Sequence, residues 1–198
     1  CHGVMSEGEL QPLLESADAV VLGPGLGQSL WAQNLWECVV KSNLPIILDA
    51  DGLNLLSSRL LTRGNWILTP HPGEAARLLK TDTATVQADR LGAVMELARI
   101  FKGVTILKGA CSLVSSGDYP VSLCDKGNPG MATAGMGDVL AGLLGGLAVQ
   151  LDSLELAAQA GVLIHAASGD SAALDGERGL LAGDVVENIR LWMNPPYK

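Results

Sequence analysis

The chain has 198 residues, 48% of them hydrophobic, a length and apolar content that suit one domain around one substantial core. Its formal net charge of −8 excludes a nucleic-acid surface of the usual kind, which needs clustered Lys and Arg. The longest apolar stretch, Val139 to Val149, is too short for a bilayer span and is interrupted by Gly142, Gly145 and Gly146.

The chain opens at Cys1 without a start of its own, and its first residues read as connection from mid-domain, so a fragment or a processed piece is expected. Ala19-Val20-Val21-Leu22 is a short apolar run closed by Gly23-Pro24-Gly25-Leu26-Gly27, and Ser29 to Lys41 has helical length and polarity: strand, glycine loop, helix. Pro45 to Asp49 repeats the pattern as a buried parallel strand ending in a carboxylate, with Asp51 placed to cap the helix that carries Leu53, Leu55 and Leu56. Trp66 to Thr69 is a third strand, followed by Pro70-His71-Pro72-Gly73-Glu74 and a helical stretch from Ala75 to Leu79. Thr83 to Phe101 reads as one long amphipathic helix that buries Val86, Leu91, Val94, Leu97 and Ala98. Val104 to Leu107 is a fourth strand, ending at Lys108-Gly109.

Beyond it the grammar changes. Ser112–Ser115 and Val121–Leu123, separated by the turn residues Ser116 to Pro120, read as antiparallel strands. The remainder is helical: Gly135 to Gln150, Ser153 to about Leu174, and about Gly183 to Met193. Alternating strands and helices imply an α/β sheet covered on both faces, with ligands outside the strands' carboxyl ends. Gly23 to Gly27, Asp49, His71 and Lys108 all fall there, so four loops converge on one crevice. The four cysteines, Cys1, Cys38, Cys111 and Cys124, have neither Cys-x-x-Cys spacing nor partnering histidines; they read as mostly buried thiols in a reducing compartment, not as zinc ligands.

The strongest local signal is Ala134-Gly135-Met136-Gly137-Asp138 opening a helix of small residues. Free N–H groups and the helix dipole make such an end an anion site, and Asp138 within it can orient or deprotonate a hydroxyl that attacks a phosphate. The plainer reading, in which Asp138 only caps its helix, fits the pentapeptide equally well. Lys108-Gly109-Ala110-Cys111-Ser112 can bring an ammonium and exposed N–H groups to a nucleotide, or be a solvated turn. His71, stiffened between two prolines, is either a ligand or an imidazole satisfied locally. Asp49 and Asp51 can assist a metal or a substrate hydroxyl, and helix capping explains Asp51 equally well. The glycines at 23, 25 and 27 resemble a dinucleotide fingerprint, but its third glycine would fall at Gln28, which disfavours a Rossmann dehydrogenase.

Taken together, Gly23 to Gly27, Asp49-Ala50-Asp51-Gly52-Leu53-Asn54, Thr69 to Glu74, Lys108-Gly109 and Gly127 to Asp138 resemble, in order and spacing over nearly the whole chain, the ADP-dependent NAD(P)H-hydrate dehydratases. These form the carboxyl-terminal domain of a bifunctional nicotinamide nucleotide repair enzyme in many bacteria. The resemblance implies a ribokinase-like three-layer α/β sandwich with a mostly parallel sheet, a single domain over residues 1–198 that lacks its N-terminal strands and so carries an exposed edge. It implies a cytoplasmic lyase that dehydrates the S epimer of hydrated NADH or NADPH while ADP becomes AMP and phosphate. Gly25, Gly27, Asp49, Asn54, His71 and Asp138 would contact the hydrated cofactor, with Asp138 catalytic. Lys108, Gly109, Ala110, Cys111, Ser112, Asn128, Gly135, Met136 and Gly137 would contact the adenine nucleotide. A magnesium ion would bridge the phosphates without a dedicated set of protein ligands. The partners implied are small molecules, further copies of the chain in a homo-oligomer such as a tetramer, and a fused or separate epimerase, with no nucleic acid and no membrane. Two other readings stand beside it: a vitamin-precursor or sugar kinase on the same fold, and a nucleotide-binding fragment without turnover.

Overall fold

The computed structural model describes residues 1–59, 61–117 and 120–194. Six strands form one sheet in sequence order: β1 (Val20–Leu22), β2 (Ile46–Leu48), β3 (Trp66–Leu68), β4 (Val104–Leu107), β5 (Ser112–Ser115) and β6 (Ser122–Cys124). The first four are parallel, with Val21, Ile47 and Ile67 in register, and the last two run antiparallel. Asp118 and Tyr119, in the turn expected between β5 and β6, lie outside the described residues. Among the described residues β1 pairs only with β2, and Val21 at this sheet edge is 40% exposed.

Alternation along each strand divides the core into two layers. Ile46, Leu48, Trp66 and Leu68 point to one face, where they meet α2 (Leu30–Lys41), α3 (Ala50–Ser57), α4 (Pro72–Leu79) and α6 (Arg90–Phe101) through Trp36, Leu53, Leu56, Ala75, Val94 and Leu97. Ile47, Ile67 and Ile106 point to the other, against α7 (Met136–Ala148) and α8 (Leu154–Ala172) through Leu140, Leu144, Ala157 and Val162. A period of two in the strands and an apolar stripe on each helix therefore yield three layers. A final helix, α9 (Ala182–Met193), packs on α8.

The structure corrects four expectations. Residues Glu7–Glu15 form a helix, α1, where connection was expected; Ser6 stands at its N-cap, two glutamates occupy its first turn, and Leu14 is buried against the core. The long helix expected from Thr83 to Phe101 is two, α5 (Thr83–Ala88) and α6, parted at Asp89. Asp89 takes a non-helical conformation, φ −139° and ψ 75°, and its carboxylate accepts the Gly92 N–H at 2.8 Å. The capping preference of a short carboxylate has overridden helix continuation. The break also turns Leu91 outward, 54% exposed, while Val86, Val94, Leu97 and Ala98 are buried as expected. Asp51 does not cap α3; Asp49 holds the N-cap position and Asp51 lies in the first turn. No cysteine is buried: Cys1 and Cys111 are exposed, Cys38 and Cys124 half-buried.

Candidate active site

The loops that leave the carboxyl ends of β1 to β4 are tied to one another. Gly23, at φ +132°, is so close to the start of α3 that a Cβ there would stand 1.7 Å from the Asp49 carbonyl oxygen, which only glycine tolerates. Asp51 accepts the Gly27 N–H at 2.8 Å and fixes the glycine loop. Gly25 and Gly27 have φ of +68° and +72° and open space where side chains would stand, so a ligand can approach their backbone. Asp49 is 2% exposed and makes no cap bond; its Oδ1 meets Lys108 Nζ at 2.7 Å across the crevice. The Lys108 N–H donates in turn to the Pro70 carbonyl at 2.9 Å. Burying the Asp49 charge is costly, and the short contact with the half-buried Lys108 ammonium offsets that cost.

His71 is the N-cap of α4. Its Nδ1 accepts the Gly73 N–H at 3.0 Å, while Glu74 accepts the His71 N–H at 2.8 Å, a reciprocal capping box. An accepting Nδ1 leaves the proton on Nε2, which lies 3.4 Å from Glu74 Oε1 on a side chain 56% exposed. His71 thus has a local structural duty, and its half-exposed ring keeps Nε2 beside Glu74. Asn54 receives an Arg77 guanidinium hydrogen bond on its Oδ1.

The glycine run ends at α7, whose N-cap is Gly135 at φ +86° with no side chain satisfying the first turn. The N–H groups of Met136, Gly137 and Asp138 donate to nothing among the described residues. A Cβ on Gly137 would lie 3.4 Å from Lys108 Nζ and 3.5 Å from Asp49 Oδ2, so the positive end of α7 abuts this ion pair. Asp138 is exposed, and no hydrogen bond or ion pair engages its carboxylate among the described residues. A side chain whose only duty was capping would accept an N–H of its own helix; Asp138 accepts none.

Beside this end of α7 is a cavity of about 660 Å³. Its walls are Lys108 to Ser112, Asp125 to Pro129, Met131 to Thr133, and the facing residues of α7 and α8, His165 among them. Of the residues expected at a nucleotide, Lys108, Gly109, Ala110, Cys111, Ser112, Asn128, Met136 and Gly137 line it, and Gly135 stands behind as the cap. Gly25, Gly27, Asp49, Asn54, His71 and Asp138 are not among its walls; Asp49 reaches it through Lys108.

The sequence reading missed three residues here. Asp170 accepts the Gly127 N–H and the Asn128 side-chain amide, both at 3.1 Å, and so fastens the far wall to α8. Arg90 reaches the Lys108–Cys111 loop from the start of α6. The His165 imidazole lies in the wall with Nε2 buried and unpartnered, and burial pushes its pKa down to about 4; the Met136 carbonyl opposes that drop and the Lys108 charge adds to it. Asp170 and Arg90 act on residues many positions away in the chain, and His165 meets the distant start of α7, so no local pattern announces any of them.

The family model and the curated relatives agree on one family. Residues 1–191 match the family model described as NAD(P)H-hydrate dehydratase. The chain is 50% identical over 196 residues to the bifunctional NAD(P)H-hydrate repair enzyme of Coxiella burnetii, which takes in 98% of this chain and 40% of that protein. It is 43% identical over 191 residues to the ADP-dependent (S)-NAD(P)H-hydrate dehydratase of Neisseria meningitidis, covering 90% of this chain and 64% of that one. In structure it is similar to the ADP/ATP-dependent NAD(P)H-hydrate dehydratase of Bacillus subtilis co-crystallized with ATP/Mg2+, with a TM-score of 0.78 at 27% identity over 89% of this chain and 65% of that one. The fold is ribokinase-like. The chain spans well under two thirds of the length of the bifunctional relatives it matches.

Proposed function

We propose, from the premise that this chain belongs to the NAD(P)H-hydrate dehydratase family, that it carries the ADP-dependent dehydration of the S epimer of hydrated NADH or NADPH. The observation that bears most weight is the start of α7: an unengaged Asp138 carboxylate and unsatisfied N–H groups beside the Lys108–Asp49 pair, next to a cavity that the Lys108–Ser112 loop lines.

Hydroxide is a poor leaving group, so the ring hydroxyl must first be esterified. Asp138 takes its proton as the oxygen attacks the terminal phosphorus of ADP, and AMP departs. The free N–H groups of Met136 and Gly137 bear the negative charge of the phosphoryl group in transit. Lys108 stands where its ammonium can follow that charge, with Asp49 fixing its direction. Breakage of the carbon–oxygen bond then expels phosphate, and loss of the neighbouring ring proton restores the dihydropyridine. Gly25, Gly27, Asn54 and His71 hold the hydrated nicotinamide side, His71 through Nε2–H.

Magnesium fits as a nucleotide-borne ion. No group of three or more His, Cys, Asp or Glu gathers among the described residues, and Mg2+ is commonly held by phosphates, water and one or two carboxylates. Asp49 Oδ2, the oxygen not bonded to Lys108, is the ligand this chain offers it. Bound there, the ion would neutralise charge on the phosphates.

A homo-oligomer is supported by the exposed Leu163, Val186, Leu191 and Trp192 along α8 and α9, a cytoplasmic setting by four free cysteines, and an epimerase partner, fused or separate, by the bifunctional relatives. The direct test mixes the full-length protein with hydrated NADH and ADP and follows recovery of NADH absorbance. Recovery with release of AMP and phosphate is expected; stable transfer of phosphate to another alcohol, without recovery, would overturn the reading in favour of a kinase.

A further inference from the structure

Arg90 occupies an odd position for a cation. It is the first residue of α6, where the helix dipole disfavours positive charge. No carboxylate pairs with it among the described residues. Its guanidinium turns instead to one loop, donating to the carbonyl oxygens of Leu107 at 3.4 Å, Lys108 at 3.5 Å and Cys111 at 3.2 Å, and to that of Ala110. It lies close enough that a Cβ on Gly109 would stand 3.0 Å from Nη2. Its Nε is buried without a partner, so the group is held against this loop and nothing else.

The same loop presents its donors elsewhere. The N–H groups of Gly109, Ala110 and Cys111 bond to nothing among the described residues, and all three residues line the cavity. Cys111 holds a left-handed φ of +57°, the kind of turn in which successive N–H groups form a concave anion-binding nest. A flexible loop would divide its carbonyls and its N–H groups between cavity and solvent. With four carbonyls fixed on a guanidinium behind the loop, acceptor oxygens are turned away from the anion and donors are left for it.

We propose that Arg90 is the positioning residue of the nucleotide site: it sets the Lys108–Cys111 loop so that its N–H groups meet the phosphates of the adenine nucleotide. The inference rests on the assignment of the cavity to ADP. It depends on the planar fork of arginine, not only on charge, because an ammonium cannot reach four carbonyls at once.

The test uses Arg90→Gln, Arg90→Lys and Arg90→Ala in the full-length protein, with the Kd of ADP measured by calorimetry and the KM of each substrate measured separately. In both Gln and Lys variants we expect the Kd and KM for ADP to rise by roughly 10- to 100-fold, a loss of the size that misplacement of a positioning element produces, with the KM for hydrated NADH within about twofold. Added guanidinium ion should restore ADP binding to Arg90→Ala, a readout that holds even if that variant is less stable. Wild-type affinity in Arg90→Lys would show that charge suffices and overturn the positioning role, as would equal rises in both KM values. Failure of the wild-type protein itself to bind ADP would instead overturn the assignment of the cavity.

Discussion

The two flanks of the crevice are organised in opposite ways. On the flank of β1 to β3, polar side chains bond to each other and to neighbouring loops: Asp51 to Gly27, Asn54 to Arg77, His71 to the start of α4, and Asp49 to Lys108 at the midline. On the flank of β4 and α7, Arg90 on the carbonyls of one loop and Asp170 on the N–H groups of the other brace the walls from behind, and the N–H groups of Gly109 to Cys111 and of the start of α7 are left without partners among the described residues. The first arrangement suits a ligand recognised by a few directed contacts. The second suits one recognised by its charge, for which many weak donors in fixed directions serve best.

Asp138 lies where the flanks meet, and its replacement tests the division most severely. Asp138→Asn should slow recovery of NADH absorbance by roughly 10²–10⁴-fold, while the ADP affinity stays near wild type because the backbone wall is intact. A matching loss of ADP affinity would place Asp138 on the nucleotide flank. Next in size is Lys108→Met, which leaves Asp49 buried and unpaired and should cost about 3 kcal/mol of unfolding free energy in urea. Adding Asp49→Asn should return most of that stability without returning activity; no return would mean the ion pair is not the origin of the loss.

His165 gives a pH test of the flank of β4 and α7. Its pKa is lowered to about 4 in the folded chain, so the unfolded chain takes up a proton first as pH falls. The folded state loses stability between about pH 6.5 and pH 4, by up to about 3 kcal/mol, and the loss levels off below. His165→Asn should flatten that part of the stability curve; an unchanged slope would assign it to other groups. The smallest effect concerns the other flank. His71→Ala should cost about 1 kcal/mol through loss of the cap, and His71→Asn, which restores a capping side chain, should recover it. Both should raise the KM for hydrated NADH and leave that for ADP unchanged.

The flanks also differ in how far the sequence discloses them. The apolar runs at Ile46, Trp66 and Val104 are unambiguous because a parallel strand buried on both faces has no polar face to confuse with a helix, and the edge run at Val20 is marked by the glycine loop that closes it. The residues at their ends follow at once, and Asp49, His71 and Lys108 lie where the chain order puts them. The long helix from Thr83 fails because periodicity sees the apolar stripe and not the cap at Asp89 that breaks it. That break carries Arg90 to the Lys108–Cys111 loop, 17 to 21 residues onward. Asp170 is likewise 43 and 42 residues from the backbone and side chain it fastens. Such supports depend on tertiary approach alone, which pattern along the chain cannot express. α1 is missed for a simpler reason: Pro12 within it and three glutamates among nine residues obscure a stripe that buries only Leu14.

A wall made of peptide groups has its own relation to the genetic text. At Ala110 and Cys111 the ligand would meet N–H groups that every amino acid but proline supplies, so the letters there are free to drift as long as the dihedral angles survive, while Gly109, at φ +145° against Arg90, must stay glycine. Cys111 holds its angle at a left-handed φ that a side chain normally avoids. What descent must preserve in this wall is therefore a shape, and its instruction is written in another helix, at residue 90.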